Sequence, residues 1–255
     1  MKSFIAIIVC ALLFTAIGQT QSSDDAFDHS HAALTAALKK HVKNGKVDYA
    51  ALKKNQTSLN TYLDSLATVS KKEFWSWKKN QEIAYLINLY NAATLKLIID
   101  HYPVDSIKDI GGFINGPWEQ NVVRLFGNKV TLDFVEHEML RKYYNEPRIH
   151  FAVNCASIGC PVLRAEAYQA TKLDNQLDEQ GREFLRNDAK NRVNTKTNTL
   201  HLSPVFDWFA GDFKKKSGSV QKFILPYLHK KDRAAVKKQQ FDIDYTDYSW
   251  KLNKQ

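Results

Sequence analysis

Apolar residues recur at helical spacing over most of the chain. From His31 to Asn44, Ala33, Leu34, Ala37, Leu38 and Val42 fall three or four residues apart, and the pattern stops at Gly45. A second amphipathic stretch runs from Asp48 to Leu66, with Leu52, Leu59, Leu63 and Leu66 inward. Ser70 and Glu73 form a Ser-x-x-Glu capping box that opens a helix carrying Phe74, Trp75 and Trp77. Gln81 to His101 is apolar nearly all round, which predicts a central helix ended by Pro103. Asp133 caps a helix through Tyr144, Thr171 opens a charged amphipathic helix to Asn187, and Ser203-Pro204 starts another. A last helix is expected over Val220 to His229.

Strand signals are fewer. Val122–Leu125 and Lys129–Leu132 flank Gly127-Asn128, a hairpin signature. Arg148 to Asn154 reads as a buried strand from its β-branched and aromatic content. Arg192 to Leu202 looks like a second hairpin, and alternating Phe241, Ile243 and Tyr245 suggest a terminal strand. The pattern predicts an α+β, helix-rich single domain with a small antiparallel sheet. Residues 46–255 form the globular domain, preceded over residues 19–45 by a polar leader and the N-terminal helix.

The first residues follow a different rule. Met1-Lys2 precedes an apolar run from Phe4 to Ile17 and a Gly18-Gln19-Thr20-Gln21 exit, the layout of a signal peptide over residues 1–18, with a cut as late as residue 21. The run is short of the roughly 20 apolar residues of a membrane span, so no stable span is expected after processing. The protein is therefore expected to be secreted or periplasmic. Removal of this segment takes away Lys2 and Cys10, lowers the net charge of +9 by one and leaves two cysteines, Cys155 and Cys160.

Composition excludes several classes. At 44% hydrophobic residues and 25% charged, the chain is neither disordered nor low-complexity. The basic surplus sits in Lys-rich faces, with no nucleic-acid-binding signature. It fits solvated surface with a weak attraction to anionic envelope polymers. No G-x-G-x-x-G or Walker motif is present, and no cofactor is expected.

Reactive groups concentrate between Arg148 and Pro161. Cys155, on a turn after the expected strand, is a candidate nucleophile, with His150 or His137 as general base and Glu136, Asn88 or Asn91 as orienting groups. Strand alternation puts His150 and Cys155 nominally on opposite faces, so a turn must bring them together. The competing reading is a Cys155–Cys160 disulfide, with Gly159 giving the small loop its flexibility. A zinc site on His137, His150, Cys155 and Cys160 has suitable ligand types, but C-x4-C lacks a second paired motif, so no metal is expected. Asn88 and Asn91, three apart in the central helix, either tie down neighbouring backbone or line a pocket. Arg148, Ser157 and Trp118 complete the candidate substrate-binding set. Trp208 and Asp212 in VFDWFAGDF read as core stripe and as a cap or arginine partner.

The blocks AYLINLYNAATL (Ala84 to Leu95), VEHEMLR (Val135 to Arg141), PRIHFAVNCASIGCPVLRAEAY (Pro147 to Tyr168), QLDEQGREFL (Gln176 to Leu185) and SPVFDWFAGDF (Ser203 to Phe213) together resemble the family catalogued as domain of unknown function 547. The resemblance extends over roughly Leu63 to Tyr227 and implies that the candidate residues lie in family motif blocks, without assigning their roles. It also suggests a distant fold-level likeness to papain-like and transglutaminase-like thiol enzymes, from which this chain departs: those place the cysteine at the start of a long core helix, whereas Cys155 precedes a proline-containing loop. The resulting expectation is a thiol-dependent hydrolase of an amide or peptide-like bond acting on a small-molecule or peptide-like substrate. The alternative is a non-catalytic cell-envelope binding protein with a structural Cys155–Cys160 bridge.

Overall fold

A computed structural model describes residues 27–112 and 115–255. The expected signal segment lies outside the described residues. Helix α1 (Ala32–His41) leads into a two-residue hairpin, β1 (Val42–Lys43) with β2 (Lys46–Val47). The expected second helix is divided into α2 (Tyr49–Lys54) and α3 (Thr57–Thr68), and α4 (Lys71–Phe74) follows. Ser70 caps α4 as its motif predicts, its hydroxyl accepting from the Glu73 N–H at 3.1 Å, but the helix ends after one turn.

Helix α5 (Lys79–His101) is buried on every side except at a few positions such as Lys96. An all-round apolar helix has no solvent face, and α2, α3 and β3 (Val123–Leu125) pack round it. Leu34, Leu38 and Val42 join the same core, so the N-terminal helix and the globular domain share one hydrophobic centre. A second cluster, rich in phenylalanine (Phe151, Phe184, Phe206, Phe213, Phe223, Phe241), forms around α6 (Leu173–Leu185), α7 (Val205–Trp208), α8 (Ala210–Ser217) and α9 (Val220–Ile224).

Among the described residues the sheets are small: two antiparallel hairpins and one three-stranded sheet. In the second hairpin β3 pairs with β4 (Asn128–Val130), Leu125 opposite Asn128. That register puts Phe126 and Gly127, both at positive φ (53° and 77°), at the turn in place of the expected Gly127-Asn128. The three-stranded sheet orders β5 (Arg192–Asn194), β6 (Thr199–Leu202) and β7 (Asp242–Tyr245). Its β5–β6 pair is the expected antiparallel hairpin, and β6–β7 is parallel. The crossover between β6 and β7 carries α7, α8, α9 and α10 (Lys230–Lys238), a connection long enough for parallel pairing.

Three further expectations need correcting, the first being the last helix: the one from Val220 ends at Ile224 and α10 follows it. Residues 147–151 form a 3₁₀ helix where a strand is expected. Pro147 fixes φ at its start and the Glu146 carboxylate accepts from the Arg148 N–H. Ile149, His150 and Phe151 are all buried, and a segment buried on all sides shows no period that separates strand from helix. Residues 134–141 form a π-helix, wider than the α-helix expected there. Asp133 makes no cap; Thr131 Oγ1 accepts from the Phe134 N–H instead.

The two asparagines of α5 position the loops above it. Asn88 donates to the Tyr168 carbonyl at 2.8 Å and accepts from the Tyr168 N–H at 2.9 Å. Asn91 donates to the Ala152 carbonyl at 3.0 Å and accepts from the Asn154 N–H at 2.8 Å. The last ten residues run back across the molecule as a strap. It pairs with β2 at Lys254, with Ser106 at Lys251 and with Ser157 at Leu252.

Two outcomes follow. Asn91→Ala leaves a buried carbonyl and a buried N–H unpaired, so urea unfolding should show a loss of about 3 kcal/mol. His31 is buried against the Tyr62 hydroxyl at 2.7 Å, and burial lowers its pKa to about 4. The unfolded chain then takes up a proton near pH 6.5 that the folded chain refuses, so stability should fall as pH drops from 6.5 towards 4, by about 2 kcal/mol at pH 5 from this group. In His31→Gln, urea midpoints should lose that part of the pH dependence.

Candidate functional site

Where the two apolar clusters meet, the surface opens into a cleft of about 200 Å³. The π-helix, Asp133 just before it, and the 3₁₀ helix together contribute Asp133, Glu136, His137 and His150 to its lining. Its other walls are aromatic: Tyr90 from α5, Trp118, Trp208 and Phe209 at the end of α7, and Tyr248 and Trp250 from the strap. Trp208, Tyr248 and Trp250 pack ring to ring, with centroids 4.6–5.8 Å apart, and Trp118 meets Trp250 edge-on at 5.6 Å. Trp208 is 47% exposed.

The sulfurs of Cys155 and Cys160 are bonded to each other and form part of this wall. The Tyr248 hydroxyl lies 3.1 Å from Cys155 Sγ and 3.2 Å from Cys160 Sγ, and 2.9 Å from the Ser157 hydroxyl. Asn154 holds the loop from inside, donating to the Pro161 carbonyl at 2.8 Å and accepting from the Ala156 N–H at 2.9 Å. Ala156 takes a positive φ of 56°. Gly159 serves close approach here and not flexibility: a Cβ added there would sit 2.8 Å from the Tyr248 ring.

Neither candidate base meets the sulfur. His150 Nε2 is 2.8 Å from Asp212 Oδ2, and its ring stacks on Phe209 with centroids 3.8 Å apart. An ionised Asp212 only accepts, so Nε2 carries the proton and Nδ1 is a bare acceptor. That Nδ1 is buried without a hydrogen-bond partner and lies 3.7 Å from Glu136 Oε1. Burial, helped by the Arg141 charge, lowers the His150 pKa against the pull of Asp212, so the ring is neutral at pH 7.

Arg141 grips Asp212 bidentately at 2.7 and 3.2 Å and donates to His137 Nδ1 at 2.7 Å. Burial would raise the Asp212 pKa, but the hydrogen bonds from His150 and Arg141 hold it well below the usual carboxylate range. His137 Nε2 faces Asp133 Oδ1 at 3.8 Å. Burial and the neighbouring Arg141 lower the His137 pKa. Glu136 is buried, which pushes its pKa up to about 7, and burial likewise raises that of Asp133.

The structure scatters the rest of the expected set. Trp118 lines the cleft. Asn88 and Asn91 do not: both amides bind backbone. Arg148 faces α6, held by Asp174 and Asp178 of that helix at 2.8 and 2.9 Å and by the neighbouring Glu146 at 2.6 Å. Ser157 is buried beneath Tyr248. Among the described residues no group of His, Cys, Asp and Glu side chains is disposed to hold a metal ion, and no helix is long and apolar enough to cross a membrane.

Asp212 proves to be an arginine partner, and a ligand of His150 as well. Trp208 stands about 200° round the helix from Phe206 at 100° per residue. That phase was the sequence signal for an exposed tryptophan. Tyr248 and Trp250 carry no such signal.

Residues 74–185 match the profile of the family described as Protein of unknown function, DUF547. The resemblance therefore stands over that stretch, which holds Tyr90, Trp118, Glu136, His137, His150, Cys155 and Cys160. Trp208, Asp212, Tyr248 and Trp250 lie beyond it. No curated protein and no solved structure matches the chain.

Gly159→Ala should displace Tyr248 from the loop. A melting experiment should register about 2 kcal/mol of destabilisation from overpacking, with a changed near-ultraviolet circular dichroism signal from the aromatic wall.

Proposed function

We propose that this is an exported ligand-binding protein of the cell envelope, working through the aromatic cleft with Cys155 and Cys160 bridged. The observation that carries the reading is the pairing of the site's groups. The two sulfurs bond to each other, and His150 is committed to Asp212. A thiol hydrolase needs a free thiolate with an imidazole in reach, whereas here the sulfurs face the Tyr248 hydroxyl.

Several features support a binding role. The cleft is concave, mostly apolar and carries a few convergent polar groups, the usual make-up of a ligand site. The bridge braces its wall by fixing the loop on which Tyr248 rests. Export fits the apolar start of the chain and a lasting disulfide.

The thiol state tests the reading directly. Peptide mapping of the non-reduced native protein should recover residues 155 and 160 in one linked peptide, with no alkylation of either by iodoacetamide. Quantitative alkylation of Cys155 in the native protein would overturn the proposal in favour of the thiol hydrolase.

A further inference from the structure

Asp133 and Glu136 bring two carboxyls to the cleft wall, and among the described residues neither pairs with a lysine or arginine. Their near neighbours are His137 Nε2 at 3.8 Å from Asp133 and His150 Nδ1 at 3.7 Å from Glu136, and the Tyr90 hydroxyl also reaches Glu136. Arg141 is one helical turn away but is committed to Asp212 and His137. Glu136 is about nine-tenths buried, so its charge is poorly hydrated, and Arg141 acts on it from a distance without pairing with it.

Above these carboxyls stands the wall of Trp208, Tyr248 and Trp250. Indole and phenol faces carry negative potential and attract cations. One of these rings already takes an ammonium on one side: Lys108 Nζ lies 3.9 Å from the Trp250 ring centroid.

Ligand charge can be argued from these groups. An anion would meet two carboxyls with no uncommitted cation in the cleft lining. A neutral sugar would find faces to stack on and would leave the carboxyls unmatched. An organic cation satisfies both, since its apolar substituents cover the rings while its charge answers the carboxylates.

We propose that the cleft binds an organic ammonium ion, quaternary or alkyl-substituted, seated against Trp208, Tyr248 and Trp250 with Glu136 and Asp133 as counter-charges. The proposal rests on the cleft being a binding site and adds the class of ligand.

Isothermal titration calorimetry on the full chain with its disulfide intact separates the two. Tetramethylammonium and choline should bind saturably, and 3,3-dimethylbutan-1-ol, the uncharged isostere of choline, at least about tenfold more weakly. Trp208→Ala and Glu136→Gln should each weaken choline binding about tenfold at an unchanged melting temperature. Should Glu136→Gln fail to fold, Asp133→Asn tests the same counter-charge. Equal affinity for choline and the isostere, or saturable binding of glucose without the ammonium probes, overturns the ammonium ligand and leaves the cleft a binding site. No saturable heat with any probe overturns both.

Discussion

The cleft depends on an amide placed where amides are costly. Asn91 sits in the most apolar helix of the chain, 4% exposed, and holds the backbone at Ala152 and Asn154. A buried amide left unpaired would destabilise the helix core, so the segment after the 3₁₀ helix is held in one place on α5. From that point the geometry propagates. Asn154 fixes the loop ends through Pro161 and Ala156, the Cys155–Cys160 bond closes them, and Gly159 leaves room for the Tyr248 ring. Leu252 and Asn253, buried on the strap, lock the far side of the same loop, with the Asn253 N–H donating to the Ala156 carbonyl at 3.0 Å. A site made of loops thus acquires the rigidity of the helix beneath it.

Much of this frame was legible because it follows local rules. The apolar run of α5, the Ser70 cap, the β5–β6 hairpin and the start of α7 after Ser203-Pro204 are each decided within a few residues. What the chain hides is decided by partners far off in sequence. The segment from Pro147 to Phe151 carries strand-like residues, but it is buried from every direction, and a proline with a preceding glutamate tips it into a 3₁₀ helix. The strap has no period at all. Tyr49 and Asn253, whose side chains meet at 2.6 Å, are far apart in sequence, and only the folded chain makes that pair visible.

The candidate site divides along the same line. His150, Cys155 and Cys160, clustered in sequence, and His137 and Trp118 could be picked out by residue type, and all of them reach the cleft. Their roles could not be picked out, because those depend on Asp212, Tyr248 and Trp250, which arrive from other elements. The buried charges show the consequence. Asp212 with Arg141 forms a matched pair, and His150, held neutral by burial, leans on the anionic member. A pair of this kind need not add net stability, since burial of the charges offsets their attraction. It fixes orientation: with Asp212 accepting from the Nε2–H, the bare Nδ1 of His150 is turned towards Glu136.

That leaves Glu136 as the one buried acid in the cleft wall without a committed cation, and burial moves its pKa up to about 7. Below that pH the carboxyl is neutral. Above it the carboxylate carries a charge that Arg141, held by Asp212, and the Tyr90 hydroxyl only partly offset against burial, and the nearest imidazole is uncharged. The aromatic wall cannot hydrate that charge, but it can hold a cation beside it. Closing the Cys155–Cys160 loop sets Tyr248 where its ring completes the wall.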